Sequence, residues 1–272
     1  MMKNNPLLIS AVFLALVLTS CARKMAYNDP IPAHESFTVD SKLLQEERTI
    51  NVWLPRNYDE LENLKVLYMP DGGLKEDFPH IANTIAALVE SGQIEPLILV
   101  GIENTDRHRD LTGASQQVED AKYCPLSDGA KDFRAFILEE LVPMVTMKYR
   151  VSGEKGLLGE SLAGLFVMET FLEHPMAFDH YIAMDPSLWW NNHALQSAAA
   201  DKLKRFPGSN ISLWFAGSSA LDISKYTQAL AQTLSADAPT TLRWHYSDEP
   251  GEKHNTIFRA TKEKALLWTF AQ

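Results

Sequence analysis

The sequence predicts an α/β fold in which a mostly parallel central sheet carries helices on both faces and has an antiparallel N-terminal edge. Three observations predict it. From residue 65 onward, short apolar runs alternate with segments whose apolar residues recur at helical spacing. Before them, the strand-like stretches 36–41 and 47–54 lie close together, as in an antiparallel hairpin. The 272 residues suffice for one such domain and are too few for two such domains.

The first residues are expected to be a targeting segment. Lys3 precedes a nearly unbroken apolar run from Pro6 to Thr19, which is shorter than the roughly 20 residues that a membrane span requires. Leu18-Thr19-Ser20-Cys21 follows and resembles the lipobox of bacterial lipoproteins. That resemblance implies export, a lipid on Cys21 and a membrane anchor in the cell envelope, in the outer membrane if the source is Gram-negative. An ordinary signal peptide and a membrane helix are the alternatives.

The expected organisation is a lipoprotein signal peptide over residues 1–20, a tether over 21–33 and one globular domain over 34–272. A formal net charge of -10 argues against a nucleic-acid partner, because phosphate binding needs a basic face. Cys124 is the one cysteine besides Cys21. We therefore expect no intramolecular disulfide and no metal site built on a thiol.

The elements of the domain follow from the same two patterns. Short continuous apolar runs indicate strands buried on both faces, and apolar residues three or four positions apart indicate helices. The predicted order after the hairpin is a strand at 65–69, a helix ending at 92, a strand at 97–102, an irregular segment at 103–128, a helix over 133–145 kinked or broken near Pro143, a strand ending at 159, a helix from 162, strands at 181–184 and 211–216, a helix over 223–234, a strand at 241–246 and a closing helix.

The turn at residues 159–164 carries the most specific motif. It reads Gly-Glu-Ser-Leu-Ala-Gly and places Ser161 between a strand and a helix. This is the context of the nucleophile elbow G-x-S-x-G of α/β-hydrolases, in which a strained turn exposes the serine hydroxyl. Ala163 replaces the last glycine of the motif, but alanine is small enough where helix and strand approach closely. The alternative is a serine that merely occupies a turn.

A serine nucleophile needs a base and a group that orients the base, and in α/β-hydrolases these follow in the order serine, acid, histidine. His254 lies in the loop after the final strand and is the predicted base, whereas His245 lies within that strand. Asp222 follows the penultimate strand and is the predicted acid, although an N-cap explains it equally well. Asp185, Glu249 and the absence of any third group are the alternatives.

Two backbone amides are candidates for an oxyanion hole, the set of donors that stabilises the charge on the reacting carbonyl oxygen. Leu162 follows the nucleophile directly, and Gly73 lies in a glycine-containing loop after the strand at 65–69. An ordinary turn is the alternative for the second loop.

Candidate substrate contacts come from two loops. Arg107 and Arg109 lie in the irregular segment 103–128 and could bind an anionic substrate, or could form surface ion pairs. Trp189 and Trp190 follow the strand at 181–184, on the edge of an open α/β sheet where ligands bind. Packing in the core is the alternative for either tryptophan.

The blocks KVLYMPDGG, LVGIENTDRHRDLTG, DFRAFILEELVPMV, GESLAGLFVMETFLEH, YIAMDPSLWW and EPGEKH resemble, in this order, the putative esterase (esterase D-like) family of α/β-hydrolases. The likeness extends from about residue 34 to the end and is greatest to siderophore (enterobactin-type trilactone) esterases. It implies that Ser161 is the nucleophile, His254 the base, and Gly73 and Leu162 the oxyanion hole, with no cofactor or metal. The family usually has a carboxylate sooner after the strand than Asp222, so the acid stays open.

The resemblance implies a serine carboxylic-ester hydrolase that acts through an acyl-enzyme. A siderophore lactone is one expected substrate, because its negative charge would suit Arg107 and Arg109. An acetyl or feruloyl ester on a polysaccharide is an alternative, in which Trp189 and Trp190 would stack on sugar rings. A non-catalytic, hydrolase-like binding lipoprotein is the alternative from another class. The sequence leaves the oligomeric state open.

Overall fold

The computed structural model describes residues 28–271, so the predicted signal peptide, Cys21 and most of the tether lie outside the described residues. Within them the strands are β1 (Glu35–Ser41), β2 (Glu46–Trp53), β3 (Leu64–Met69), β4 (Leu97–Ile102), β5 (Val151–Glu160), β6 (His180–Met184), β7 (Ile211–Gly217) and β8 (Leu242–Asp248). The α-helices are α1 (Phe78–Glu90), α2 (Arg107–Asp110), α3 (Gly129–Ala135), α4 (Val142–Lys148), α5 (Leu162–Glu173), α6 (Trp190–Leu203), α7 (Leu221–Asp237) and α8 (Ile257–Phe270). None of these helices is long and apolar enough to cross a membrane.

The strands form one sheet in the order β1-β2-β4-β3-β5-β6-β7-β8. β1 pairs antiparallel with β2, and β2 pairs antiparallel with β4, while every later pair is parallel. The predicted fold class and its antiparallel N-terminal edge are therefore confirmed. All the parallel strands end at the same edge of the sheet, which we call the carboxyl edge.

Two apolar layers cover the sheet. Side chains alternate between the faces of a strand, so that in β3 Val66 and Tyr68 face one layer while Leu67 and Met69 face the other. Helices α1 and α8 pack on the second face, and α3 to α7 pack on the first. Burial on both faces explains why these strands read as continuous apolar runs rather than as alternating ones.

Two predicted irregularities take defined forms. The segment 103–128 contains the single turn α2 and a 3₁₀ turn at Val118–Lys122. The helix predicted to break near Pro143 instead widens to a π-helix over Phe136–Leu141, between α3 and α4. Proline lacks the N–H that would bond to the carbonyl four residues earlier, which explains a widened turn at this place.

Candidate active site

Ser161 occupies a strained turn between β5 and α5. Its backbone angles are φ 60° and ψ -115°, a region that residues other than glycine rarely adopt. The turn is held because the Ser161 amide donates to the Met184 carbonyl at 3.0 Å. A Cβ on Gly159 would lie 2.5 Å from the Ala163 backbone, so the helix approaches the strand too closely for larger side chains. The local geometry is that of a nucleophile elbow.

A chain of hydrogen bonds runs from Ser161 to a buried carboxylate. Ser161 Oγ lies 3.0 Å from His254 Nε2, and His254 Nδ1 lies 2.6 Å from Asp185 Oδ2. Asp185 is fully buried and also accepts hydrogen bonds from the amide and hydroxyl of Ser218, at 2.7 and 2.8 Å. These distances suit transfer of the serine proton to Nε2, with Nδ1–H held by the carboxylate.

The carboxylate that contacts His254 is therefore Asp185, not Asp222 as predicted. Asp185 directly follows β6, which pairs with the elbow strand β5, whereas Asp222 lies in the first turn of α7. Asp222 lines the cavity in front of the serine. The other alternative, Glu249, instead accepts from Ser247 and pairs with Lys264.

The surroundings of His254 favour its protonated form. Burial alone lowers its pKa, but the hydrogen bond to Asp185 and the charges of Glu160, Asp185 and Asp222 outweigh burial. The pKa of His254 is thus raised above its ordinary value. A more basic imidazole is a better acceptor for the serine proton, and the nearby carboxylates stabilise the imidazolium that results.

Glu160 is a site residue that the sequence pattern did not single out, although it lies within the motif. Its carboxyl oxygen is 3.7 Å from His254 Nε2, and its side chain is 17% exposed. Burial raises the pKa of Glu160 to about 8, against the opposing charges of His254 and Arg107. A titratable carboxyl group therefore lies directly beside His254.

The two predicted oxyanion amides differ in their surroundings. Leu162 is the first residue of α5, where amides lack partners within the helix, and it lines the cavity. The Gly73 amide instead donates to Glu76 Oε2 at 2.7 Å. Asn104 binds the same carboxylate through its Nδ2, at 2.8 Å from Oε1. The amide of Gly73 is thus used within its own loop, contrary to the prediction.

The two arginines also separate. Arg107 lines the cavity, where its Nε and Nη2 donate to the two carboxylate oxygens of Asp71 at 2.6 and 2.8 Å. Arg109 points away from the cavity and donates to Glu46 and Asp110. The ion-pair alternative is therefore correct for both arginines, although Arg107 also lines the cavity. Arg109 helps to hold the segment 103–128 against β2.

The adjacent tryptophans point to different places. Trp189 lines the cavity and packs edge-on against Tyr123, with ring centroids 5.1 Å apart. Trp190 is buried in the core, and its indole N–H donates to the Gly113 carbonyl at 2.9 Å. Only the first of the two can contact a molecule in the cavity.

The cavity in front of Ser161 has a volume of about 490 Å³. His108, Lys122 and Tyr123 line it in addition to the residues already described. All three come from the segment 103–128, whose path could not be read from a sequence pattern. Among residues 28–271, no three His, Cys, Asp or Glu side chains are placed to hold a metal ion.

Comparison with protein families agrees with this geometry. A family model described as "Putative esterase" matches residues 41–250. The chain belongs to this family. The family membership predicted from the sequence is thereby confirmed.

The chain is related to siderophore esterases. It is 35% identical over 115 residues to the ferri-bacillibactin esterase BesA of Bacillus subtilis, which is 38% of this chain and 40% of that protein. It is 42% identical over 74 residues to the siderophore enterobactin esterase of Emericella nidulans, and this alignment covers 26% of this chain and 24% of that protein. The chain thus aligns with less than half the length of these two relatives. An IroE-like serine hydrolase from Shewanella oneidensis has a TM-score of 0.81 and 26% identity, covering 88% of this chain and 80% of that chain.

Proposed function

We propose that this esterase hydrolyses a carboxylic ester through an acyl-enzyme, with Ser161 as nucleophile, His254 as base and Asp185 as the orienting acid. The observation that carries the proposal is the continuous set of hydrogen bonds from Ser161 Oγ through the imidazole to the Asp185 carboxylate. The serine faces an open cavity, so an ester carbonyl can approach its hydroxyl.

The reaction would proceed in two halves. Ser161 Oγ attacks the carbonyl carbon while His254 Nε2 takes the hydroxyl proton, and the Leu162 amide donates to the oxygen that becomes negative. The ester C–O bond then breaks, and His254 gives the proton to the departing alcohol. Water adds to the acyl group with the same base, and release of the acid restores the serine.

We propose an anionic, aromatic small-molecule ester of the siderophore class as the substrate. Arg107 and Lys122 line one side of the cavity, where Arg107 is paired with Asp71 and Lys122 with Glu119, and Tyr123 with Trp189 gives the cavity an aromatic side. Relatives of this esterase are siderophore esterases by name. The glycan alternative assumed that Trp189 and Trp190 both stack on sugar rings, and Trp190 cannot do so because it is buried.

The test is hydrolysis by the protein begun at Ala22, first of p-nitrophenyl butyrate and then of a catecholate trilactone beside a feruloylated sugar. We expect all three rates to fall on Ser161→Ala by a factor of order a million, as when a serine nucleophile is removed elsewhere. Faster turnover of the feruloylated sugar than of the trilactone would overturn the substrate class. A protein silent on every ester and unlabelled by a fluorophosphonate would overturn the enzyme itself.

We further propose that the mature protein is anchored to a membrane of the cell envelope by a lipid on Cys21. The support is the Leu-Thr-Ser-Cys sequence after the apolar run. The test is the mass of the mature protein. Acyl chains on Cys21, lost in Cys21→Ala, are expected, and an unmodified chain cleaved elsewhere would contradict the proposal.

A further inference from the structure

The end of the tether is fixed to the domain. The Asp29 carboxylate accepts hydrogen bonds from both terminal nitrogens of Arg259, one of them at 3.0 Å. One residue later, the Pro30 carbonyl accepts from Asn83 Nδ2 at 2.8 Å. Arg259 lies in the first turn of α8, and Asn83 lies in the second turn of α1. The tether therefore joins the domain where these two neighbouring helices begin.

Both helices begin at the carboxyl edge of the sheet. α1 follows β3, and α8 follows the loop that carries His254. The chain consequently meets the domain on the side that holds Ser161 and the cavity. Cys21 is seven residues before Asn28. Seven residues reach at most about 25 Å, so an anchor at Cys21 cannot be far from this edge.

Three large apolar side chains are exposed on the two segments that line the cavity beside Ser161, and we call them the apolar rim: Val118 (at the start of the 3₁₀ turn that carries Lys122), Tyr123 and Leu221. Their exposed fractions are 79%, 61% and 84%. Tyr123 also lines the cavity, and Leu221 lies between the lining residues Ala220 and Asp222. A single exposed leucine is ordinary, but exposed apolar side chains on two segments beside one cavity indicate a contact surface.

We infer that the carboxyl edge faces the membrane, with the apolar rim in contact with the phospholipid surface and the cavity opening towards it. The inference rests on the proposed lipid anchor. Two independent observations carry it: the tether joins the domain at this edge, and the three residues of the apolar rim lie at the same edge. The chain has a formal net charge of -10, and its first 27 residues contain no Asp or Glu, so the domain is not attracted to anionic lipid by charge and contact should require the anchor.

Fluorescence quenching can test the orientation with the full lipidated chain in phosphatidylcholine vesicles. In a Cys124→Ala background, single cysteines at Val118→Cys and Leu221→Cys carry a bimane probe, and the vesicles contain acyl-chain spin labels. Met147→Cys is a matched control, because Met147 is 83% exposed and lies near the end of α4, just before β5 begins at the opposite edge. We expect quenching at least about threefold stronger at the two rim positions than at the control.

The fixed tether provides a second test. Asp29→Arg should reduce the difference in quenching between the rim and the control, and adding Arg259→Asp should restore it. Equal quenching at all three positions, or probes at the rim that stay unquenched on vesicle-bound protein, would overturn the inference. A chain without lipid on Cys21 would overturn it as well. Esterase activity is a separate readout, so failure of the proposed reaction leaves these results interpretable.

Discussion

Replacing Asp185 by asparagine should remove most of the esterase activity while leaving the fold intact. In Asp185→Asn the new side-chain carbonyl oxygen can still accept from the Ser218 amide, which turns the NH₂ group towards His254 Nδ1. Two donors then meet, so the neutral imidazole must carry its proton on Nε2, where it can no longer accept the proton of Ser161. The active tautomer is lost, although every heavy atom keeps its place.

The size of the effect follows from the exposure of the base. The same change in a serine protease lowers kcat by about 10⁴, which is roughly 5 kcal/mol at 1.36 kcal/mol per tenfold. The side chain of His254 is 41% exposed, so water can partly replace the lost orientation. We therefore expect kcat to fall by about 10³ to 10⁴ in Asp185→Asn.

Asp222→Asn is the matched control. The charge of Asp222 is the smallest of the influences that raise the pKa of His254, and the contact with Nδ1 belongs to Asp185. We expect kcat to change by no more than about threefold and the acid limb of kcat/KM to move slightly to lower pH. The assay is p-nitrophenyl butyrate hydrolysis from pH 5 to 9, with thermal melts of both variants.

Two results would refute this reasoning. One is a folded Asp185→Asn variant that keeps more than about a tenth of the wild-type kcat. The other is an Asp222→Asn variant that loses as much activity as the Asp185 variant, because the structure assigns the hydrogen bond with the base to only one of them.

Three further predictions concern other parts of the site. The folded-state pKa of Glu160, about 8, exceeds its unfolded value of 4.5, so its contribution to stability is present below pH 4.5 and lost as pH rises through 8. The unfolding free energy of Glu160→Gln relative to wild type should therefore rise from about pH 5 to about pH 8.5, by at most about 5 kcal/mol, as measured by urea denaturation at both pH values. A difference between the two proteins that is the same at both pH values would contradict this. Trp189→Ala should raise KM with little change in melting temperature, whereas Trp190→Ala should cost about 3–5 kcal/mol of stability; the reverse pattern in kinetics and melts would show that their places are misassigned. Gly159→Ala should cost about 1–3 kcal/mol because its Cβ meets the helix backbone, while Gly208→Ala, whose Cβ meets nothing within 4 Å, should be neutral in the same melts.

The parts of the fold that a local pattern encodes were predictable from the sequence. β4 has the predicted bounds, because every residue of Leu97–Ile102 is buried and the strand reads as one apolar run. The turn around Ser161 was predictable because strand, turn and helix are adjacent in the chain. The contact between Ser161 and His254 was accessible because the order of groups along the chain leaves few histidines to consider.

The remaining site residues depend on information that the sequence does not display. Asp185 and Asp222 both follow strands, and the choice between them requires the strand order, in which β6 lies next to β5. Arg107 and Arg109 are two positions apart in one helical turn, so their side chains point to different sides. For such neighbours, composition and spacing cannot say which one reaches the cavity.

The strained backbone at Ser161 also bears on the choice of serine at this position. A φ of 60° with ψ near -115° suits glycine, so serine at this position carries a conformational cost of order 1–3 kcal/mol. Natural selection for the fold alone, or for ligand capture without turnover, would reward glycine here and relieve that cost. Under the proposed reaction the hydroxyl at this position is the nucleophile, and that chemistry would offset the conformational cost.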